Sequence, residues 1–379
     1  MGSIQRLGKG KYKLTAEFGY DVDGKRIRKH RTVEVSGPRA AKEMLAKFEE
    51  ELLENDKMDV TNLRFVDYVE LWRKNYADSQ LEPSTREIYE IMLNTIIPHF
   101  QRKKLADIHD FHLTHYLNGE KLNGRGSLEK KYNVLKSLFK YAVIWKLLPR
   151  DPMDGVGKPK VVADEMQFYD REELEILMQL IEELDTRHQL MIKLTVAGGL
   201  RRGELLGIAY DCVDFAKNQI FIKRSLQYTK KEGFRLKETK TGESRIITFP
   251  STVMDELRIY YKKQLLQRTN NEREWEGFVD VRGREVMLFV CDATGHPYNP
   301  QAVTRFWGRF MRRNMDMIKR IRFQDLRHSS ASLILSDGIN MKVLQKRLGH
   351  KDIKTSLNIY SHVTNKDDQK ASDVFNDLV

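Results

Sequence analysis

Three hydrophobic patterns follow one another along the chain. Residues 11–35 alternate between apolar and polar positions, which predicts paired strands. The apolar positions on one face of the first strand are Tyr12, Leu14, Ala16 and Phe18. An apolar stripe at helical spacing continues to about Glu54, and residues 63–148 repeat such stripes with many aromatic residues. These patterns predict a small sheet with one helix, followed by an all-helical unit.

The remainder of the chain has a mixed pattern. Prolines and glycines are concentrated between Pro149 and Met166, which indicates a linker. Helical patterns follow, a strand-rich stretch covers about residues 213–249, and further helical patterns continue to about residue 360. The fold class predicted is therefore multidomain α+β. Its three parts are a three-stranded sheet plus helix over 1–60, an all-α domain with linker over 61–160, and a mainly α domain with a small antiparallel sheet over 161–379.

Charge points to a polyanionic partner. The 379 residues carry a formal net charge of +12, and positive charge attracts nucleic acid and releases its counterions. Basic residues are concentrated between Arg6 and Arg31, so the predicted sheet has a basic face that is either a DNA contact or a solubilising hairpin. The candidate contacts, including two lysines expected to be exposed on a helix of the second domain, are Lys11, Lys13, Arg26, Arg28, His30, Lys130 and Lys131.

Other classes of protein are disfavoured. We find no apolar run near the roughly 20 residues that a membrane span needs, and no signal peptide at the polar start. Cys212 and Cys291 are too few for a disulfide framework or a cysteine-rich zinc site. The expectation is a cytoplasmic protein with no membrane partner, no cofactor and no metal.

Four short segments of the last domain contain the candidate chemistry. GLRRGELLGI places Arg201 just before a helix that contains Glu204, and KTG places Lys240 in a predicted hairpin turn. DLRH begins a helix with Arg327, and LGH places a histidine after a glycine turn, with a tyrosine ten residues later. Each segment alone is as consistent with a structural role, because arginines before helices, exposed turn lysines and packed tyrosines are common.

Together, in this order and spacing, the four segments resemble the tyrosine recombinase (phage integrase) family, and the resemblance covers the whole chain. It implies an arm-type DNA-binding domain, a core-binding domain and a catalytic domain in the three predicted parts. It also implies that Tyr360 is the nucleophile, that Arg201, Arg327 and His350 bind the scissile phosphate, and that Lys240 is a general acid. Arginines would supply the positive charge, and Glu204 would orient a neighbour rather than react.

One position departs from the family pattern. Gln324 stands three residues before Arg327, where most relatives have a histidine. An amide can donate a hydrogen bond to phosphate but cannot accept a proton at neutral pH. His328 cannot take over this role, because adjacent residues on a helix point about 100° apart. We therefore expect Gln324 to keep the phosphate contact, while Tyr360 loses its proton by another route.

The implied function is integration and excision of a mobile element, from a temperate phage or a conjugative transposon. A homotetramer would act on core and arm sites of double-stranded DNA in a bacterial host, through a phosphotyrosine and a Holliday junction, with an excisionase or a host DNA-bending protein as possible partners. The C-terminal tail would dock either onto a neighbouring subunit or onto its own domain. Two alternatives stay open: a type IB topoisomerase, and a DNA-binding regulator that has lost activity.

Overall fold

The structure is a computed structural model that describes residues 2–20, 26–122, 127–159, 167–238 and 244–349. The chain divides into two compact units, residues 1–162 and 163–379. Helices dominate, and the small sheets are antiparallel, so the predicted α+β class is confirmed.

The first unit begins with a three-stranded antiparallel sheet in the order β1-β2-β3, followed by a long helix. The elements are β1 (Ser3–Gly8), β2 (Lys11–Tyr20), β3 (Arg26–Glu34) and α1 (Pro38–Thr61). As the alternation predicts, Leu14 and Ala16 on β2 are buried, and they pack against Leu45 and Phe48 of α1. The helix extends beyond Glu54, where the sequence pattern placed its end.

The rest of the first unit is helical, as predicted. Its helices are α2 (Phe65–Trp72), α3 (Asp78–Gln80), α4 (Pro83–Phe100), α5 (Asp110–Leu122) and α6 (Leu128–Ile144). The aromatic stripes form the core: Phe65 lies 5.5 Å from Phe100 and 6.3 Å from Phe139, measured between ring centroids. These rings therefore hold three helices together.

The prediction that Lys131 is an exposed phosphate contact was wrong. Its side chain on α6 is buried at 3% exposure and forms an ion pair with Glu120 of α5, which is also buried. A buried ammonium needs such a partner, because removing it from water without one costs several kcal/mol. The neighbouring Lys130 is exposed, as expected.

The described residues of the second unit form one large hydrophobic core and a smaller cluster of Ala331, Leu335, Leu344 and Leu348. Its first helices are α7 (Arg171–Leu180), α8 (Thr186–Gly198) and α9 (Arg202–Leu206). Short strands follow: β4 (Val213–Asp214), β5 (Gln219–Ile222), β6 (Arg224–Thr229), β7 (Gly233–Glu238) and β8 (Arg245–Thr248). The described helices after them are α10 (Ser251–Asn270), α11 (Pro300–Arg313), α12 (Leu326–Ser336) and α13 (Met341–Leu348).

The strands form two separate antiparallel sheets, one in the order β4-β5-β8 and the other pairing β6 with β7. The strands on either side of Lys240 therefore belong to different sheets, because β7 pairs with β6 and β8 pairs with β5. The prediction of a hairpin formed by these two strands was wrong. Alternation of apolar residues marks strands but does not say which neighbour each one pairs with.

Among the described residues, no helix is long and apolar enough to span a membrane, and no group of His, Cys, Asp and Glu side chains has a metal-binding arrangement.

Candidate active site

The turn between α8 and α9 places Arg201 at a helix start, as the glycines predict. Gly199 follows α8 with a φ of +60°, a left-handed conformation that favours glycine. A Cβ on Gly199 would also lie 2.5 Å from a methyl carbon of Leu348, so the turn packs closely against the end of α13. Arg201 is the residue immediately before α9, and its side chain is 40% exposed.

Glu204 is at the centre of a cluster of three arginines, Arg201, Arg245 and Arg327. Its carboxylate accepts hydrogen bonds from the Arg201 backbone N–H (3.0 Å) and Nη1 (2.8 Å), and from Nη2 of Arg245 (2.7 Å). Burial alone would raise the pKa of this carboxyl, but hydrogen bonding and the charge of Arg245, followed by Arg201, lower it to about 2. Glu204 is therefore ionised and fully engaged, which fits the predicted orienting role.

Arg327 approaches the same cluster from α12. Its side chain is 3% exposed, and its Nη1 and Nη2 donate to the carbonyl oxygens of Gly199 (2.5 Å) and Leu348 (2.7 Å). Nη1 also lies 3.9 Å from a carboxylate oxygen of Glu204. Since Arg201 donates to the carbonyl oxygen of Gly349 at 3.3 Å, both predicted phosphate-binding arginines contact the end of α13.

Gln324 lies beside this cluster, in the short 3-10 turn before α12. Its Oε1 accepts a hydrogen bond from the backbone N–H of Arg202 at 3.2 Å. Only the amide oxygen can accept, so the Nε2 end must point away from that N–H. The phosphate contact expected of this side chain stays a prediction.

The structure brings four predicted residues together: Arg201, Glu204, Gln324 and Arg327. The other three, Lys240, His350 and Tyr360, lie outside the described residues. The glycine turn predicted before the histidine is present, because Gly349 has a φ of +64° at the end of α13.

The predicted basic face of the first sheet is present but partly neutralised. Thr15 on β2 is paired with His30 on β3, and Glu17 is paired with Arg28. The residues that alternate with Thr15 and Glu17 on β2 are buried, so these four side chains lie on the sheet face that points away from α1. Arg28 forms an ion pair with Glu17 at 3.0 Å, and Oγ1 of Thr15 lies 3.0 Å from Nδ1 of His30. On the same face, Lys11 pairs with Glu34 at 3.0 Å and Lys13 is half-buried, while the Arg26 side chain lies outside the described part.

Comparison with known proteins assigns the chain to a family. The phage integrase family matches residues 167–367, more than half of the chain, and an N-terminal SAM-like domain of phage integrases matches residues 64–120. The chain belongs to the phage integrase family. It is a tyrosine site-specific recombinase, and the resemblance drawn from the four short segments is confirmed.

Curated relatives extend over the full chain. A XerC-like tyrosine recombinase from Caldanaerobacter subterraneus subsp. tengcongensis is 26% identical, with 98% of this chain and 97% of that protein covered. The ICEBs1 integrase from Bacillus subtilis is 23% identical, with 100% of both covered. Among solved structures, the Tn1549 transposon integrase (residues 82–397) in complex with a circular intermediate DNA aligns with a TM-score of 0.65 at 18% identity, covering 77% of this chain and 93% of that one.

Two features of the second unit were not predicted from the sequence. Arg245 is buried against Glu204, yet a lone arginine at a strand start carries no local signal. The exposed arginines of α11 do carry one: in PQAVTRFWGRFMRR the apolar positions lie on one helix face and the basic positions on another. The four exposed arginines are Arg305, Arg309, Arg312 and Arg313.

Proposed function

We propose that this recombinase integrates and excises a mobile element, cutting and rejoining double-stranded DNA through a 3′-phosphotyrosine at Tyr360. The observation that carries the proposal is the arrangement of Arg201 and Arg327 around one buried carboxylate. Arg245 also contacts Glu204, so three arginines surround a single negative charge. The excess positive charge suits a phosphodiester, whose oxygens gain negative charge when a nucleophile attacks.

In the proposed mechanism, Arg201 and Arg327 stabilise the phosphoryl oxygens with guanidinium groups that stay protonated. His350 donates a further hydrogen bond to the phosphate, and Lys240 protonates the departing 5′ oxygen. The Tyr360 oxygen forms a bond to phosphorus as the bond to the 5′ oxygen breaks. The covalent phosphotyrosine retains the energy of the phosphodiester, so rejoining needs no ATP.

We assign Gln324 the role of a phosphate donor. The Arg202 N–H occupies the acceptor oxygen of its amide, which leaves the NH₂ group for the substrate. A neutral histidine that accepted the same N–H through one ring nitrogen would carry its proton on the other, and would also act as a donor. The glutamine therefore preserves the contact, and the proton of Tyr360 leaves by a route that does not involve residue 324.

Two surfaces are proposed to bind DNA. One is the sheet face with Lys11, Lys13, Arg28 and His30, taken together with Arg26, as the arm-site contact. The other is the exposed arginine face of α11, which adjoins the site because Nη1 of Arg202 donates to Oγ1 of Thr304 on α11 at 2.6 Å. Phosphate contacts of this kind supply affinity that falls with rising salt.

The assembly proposed is a homotetramer that resolves a Holliday junction in the cytoplasm of a bacterial host. A lambda integrase tetramer bound to a Holliday junction shares the fold, with a TM-score of 0.59 at 17% identity, 92% of this chain and 95% of that one. We assign the ranges 1–60, 61–160 and 161–379 to the arm-binding, core-binding and catalytic domains. An excisionase and a host DNA-bending protein complete the proposed set of partners, and Lys130 is proposed as a core-site contact.

The test uses a nicked suicide duplex carrying the crossover site found at the element's chromosomal junctions. Wild-type protein is expected to form a covalent protein–DNA adduct, and Tyr360→Phe is expected to form none while binding the duplex equally well. The absence of an adduct with wild type on its own junction sequence would favour a DNA-binding regulator. Relaxation of supercoiled plasmid lacking such a site would favour a topoisomerase.

A further inference from the structure

Arg245, the first residue of β8, has all three guanidinium nitrogens engaged within the protein. Nη2 and Nη1 donate to the two carboxylate oxygens of Glu204 at 2.7 and 3.2 Å, and Nε donates to the carbonyl oxygen of Arg347 at 2.7 Å. The side chain is 6% exposed. A guanidinium held in this way forms a planar fork on the carboxylate, and each of its nitrogens has a partner within the protein.

These contacts connect Arg245 to both predicted phosphate-binding arginines. The oxygen of Glu204 that accepts from Nη1 of Arg245 also accepts from Nη1 of Arg201 at 2.8 Å, and the other oxygen lies 3.9 Å from Arg327. At the end of α13, a Cβ on Gly349 would lie 2.9 Å from Nη1 of Arg245. Arg245 is thus packed between the carboxylate and the turn whose carbonyl oxygen receives a hydrogen bond from Arg201.

A lysine could not reproduce this arrangement. It would supply one compact charge in place of a planar fork plus an Nε donor, so it could not hold both carboxylate oxygens and the Arg347 carbonyl together. Glu204 would then be held by Arg201, at 3.0 Å from its backbone N–H and 2.8 Å from its Nη1, and the carboxylate and Arg201 could shift together.

We propose that Arg245 is a positioning residue for the phosphate-binding arginines: it holds Glu204 in the orientation in which that carboxylate directs Arg201 towards the scissile phosphate. This inference rests on the proposed function, because it assigns Arg201 to the DNA phosphate. The inference predicts that replacing Arg245 slows strand cleavage and leaves the affinity for DNA unchanged.

The matched control is Arg224, a half-buried arginine in the same unit. Its side chain is 11% exposed, and its Nη2 lies 2.5 Å from both carboxylate oxygens of Asp211, so it makes an arginine–carboxylate contact that does not include Glu204. Arg224→Lys therefore reproduces the general effect of weakening such a contact. Arg245→Lys adds any effect that is specific to the site.

The experiment compares full-length wild type, Arg245→Lys and Arg224→Lys in single-turnover cleavage of the suicide duplex. We expect Arg245→Lys to cleave about 10- to 100-fold more slowly, as misplaced catalytic groups do, with its dissociation constant for DNA within about twofold of wild type. Arg224→Lys should cleave within about threefold of wild type. Equal rates for the two variants would overturn the inference.

A second substrate separates positioning from loss of folded protein. A methylphosphonate at the scissile position is uncharged, so the arginines have less charge to stabilise there. We expect the defect of Arg245→Lys to shrink at least several-fold on this duplex, whereas a smaller folded fraction would lower both rates by the same factor. An unchanged defect on the neutral substrate would overturn the inference. If the lysine variant does not fold, Arg245→Gln provides the same comparison. Failure of the wild-type protein to form any adduct would instead overturn the proposed function itself.

Discussion

Replacing Glu204 by glutamine should destabilise the second unit strongly at neutral pH. The carboxylate is 2% exposed and is contacted by Arg201 and Arg245, with Arg327 at 3.9 Å, so its loss leaves buried positive charge without a counterion. Removing one partner of a buried ion pair costs about 3–5 kcal/mol. A pKa lowered from 4.5 to about 2 gives a similar value, about 3 kcal/mol at about 1.4 kcal/mol for each pKa unit.

The pH dependence identifies the carboxylate as the cause. A carboxyl whose pKa is lowered on folding contributes its full stabilisation above the unfolded value of 4.5, and this contribution is lost as the pH falls from 4.5 to about 2. The difference in unfolding free energy between wild type and Glu204→Gln should therefore be about 3 kcal/mol at pH 7. It should shrink steadily below pH 4.5 as wild type becomes protonated.

The measurement is urea unfolding at pH 7 and at pH 3, followed by hydrogen exchange of peptides from α8 and α9 so that the transition of the second unit is monitored. The control is Glu256→Gln, because Glu256 pairs with Lys193 at 2.8 Å but is 38% exposed. An exposed pair of this kind is worth at most about 1 kcal/mol. A loss below about 1 kcal/mol for Glu204→Gln, or a loss independent of pH, would show that the ionised carboxylate of Glu204 does not stabilise the arginines around it.

Three further predictions concern other parts of the molecule. Lys131→Ala should lower the unfolding free energy by about 3–5 kcal/mol, because Glu120 would stay buried after losing this ion pair. The salt dependence of DNA binding, measured by titration, should stay as in wild type. Changing Arg305 and Arg312 to glutamine should reduce the slope of log affinity against log salt by about 0.9 for each lost phosphate contact, and an unchanged slope would remove α11 from the DNA surface. Gln324→His should leave the cleavage rate within about threefold of wild type from pH 6 to 9, since the Arg202 N–H fixes either side chain as a donor; a gain of tenfold or more would show that a base was missing.

Local patterns predicted the elements well, and they predicted contacts between elements poorly. The alternation of Tyr12, Leu14 and Ala16 and the stripe around Phe65 were sufficient for strands and helices, because burial imposes period two or 3.6 on one face. Lys131 lies on a helix where the charge pattern is compatible with solvent, and only the position of Glu120 on α5 makes it a buried partner. That information depends on how two helices pack, which spacing along one helix does not contain.

The same distinction applies inside the active site. Motif spacing singled out Arg201, Glu204 and Arg327. The structure places them in one cluster, in which Arg201 hydrogen-bonds to Glu204 and Arg327 lies 3.9 Å from it. Arg245 was missed, since its role comes from a contact with Glu204, 41 residues away along the chain. Motifs identify side chains of characteristic chemistry, whereas residues that hold them in place are identified only by distance and burial.

The cluster also explains why an acidic residue belongs in a site that must bind an anion. Three buried or half-buried arginines would repel one another, so a site made of arginines alone would be unstable before DNA binds. Glu204 balances part of that charge and leaves an excess for the phosphate. Because its carboxylate is directed by Arg245, Arg201 keeps a fixed position in the absence of substrate, and little reorganisation is needed when negative charge develops on the scissile phosphate.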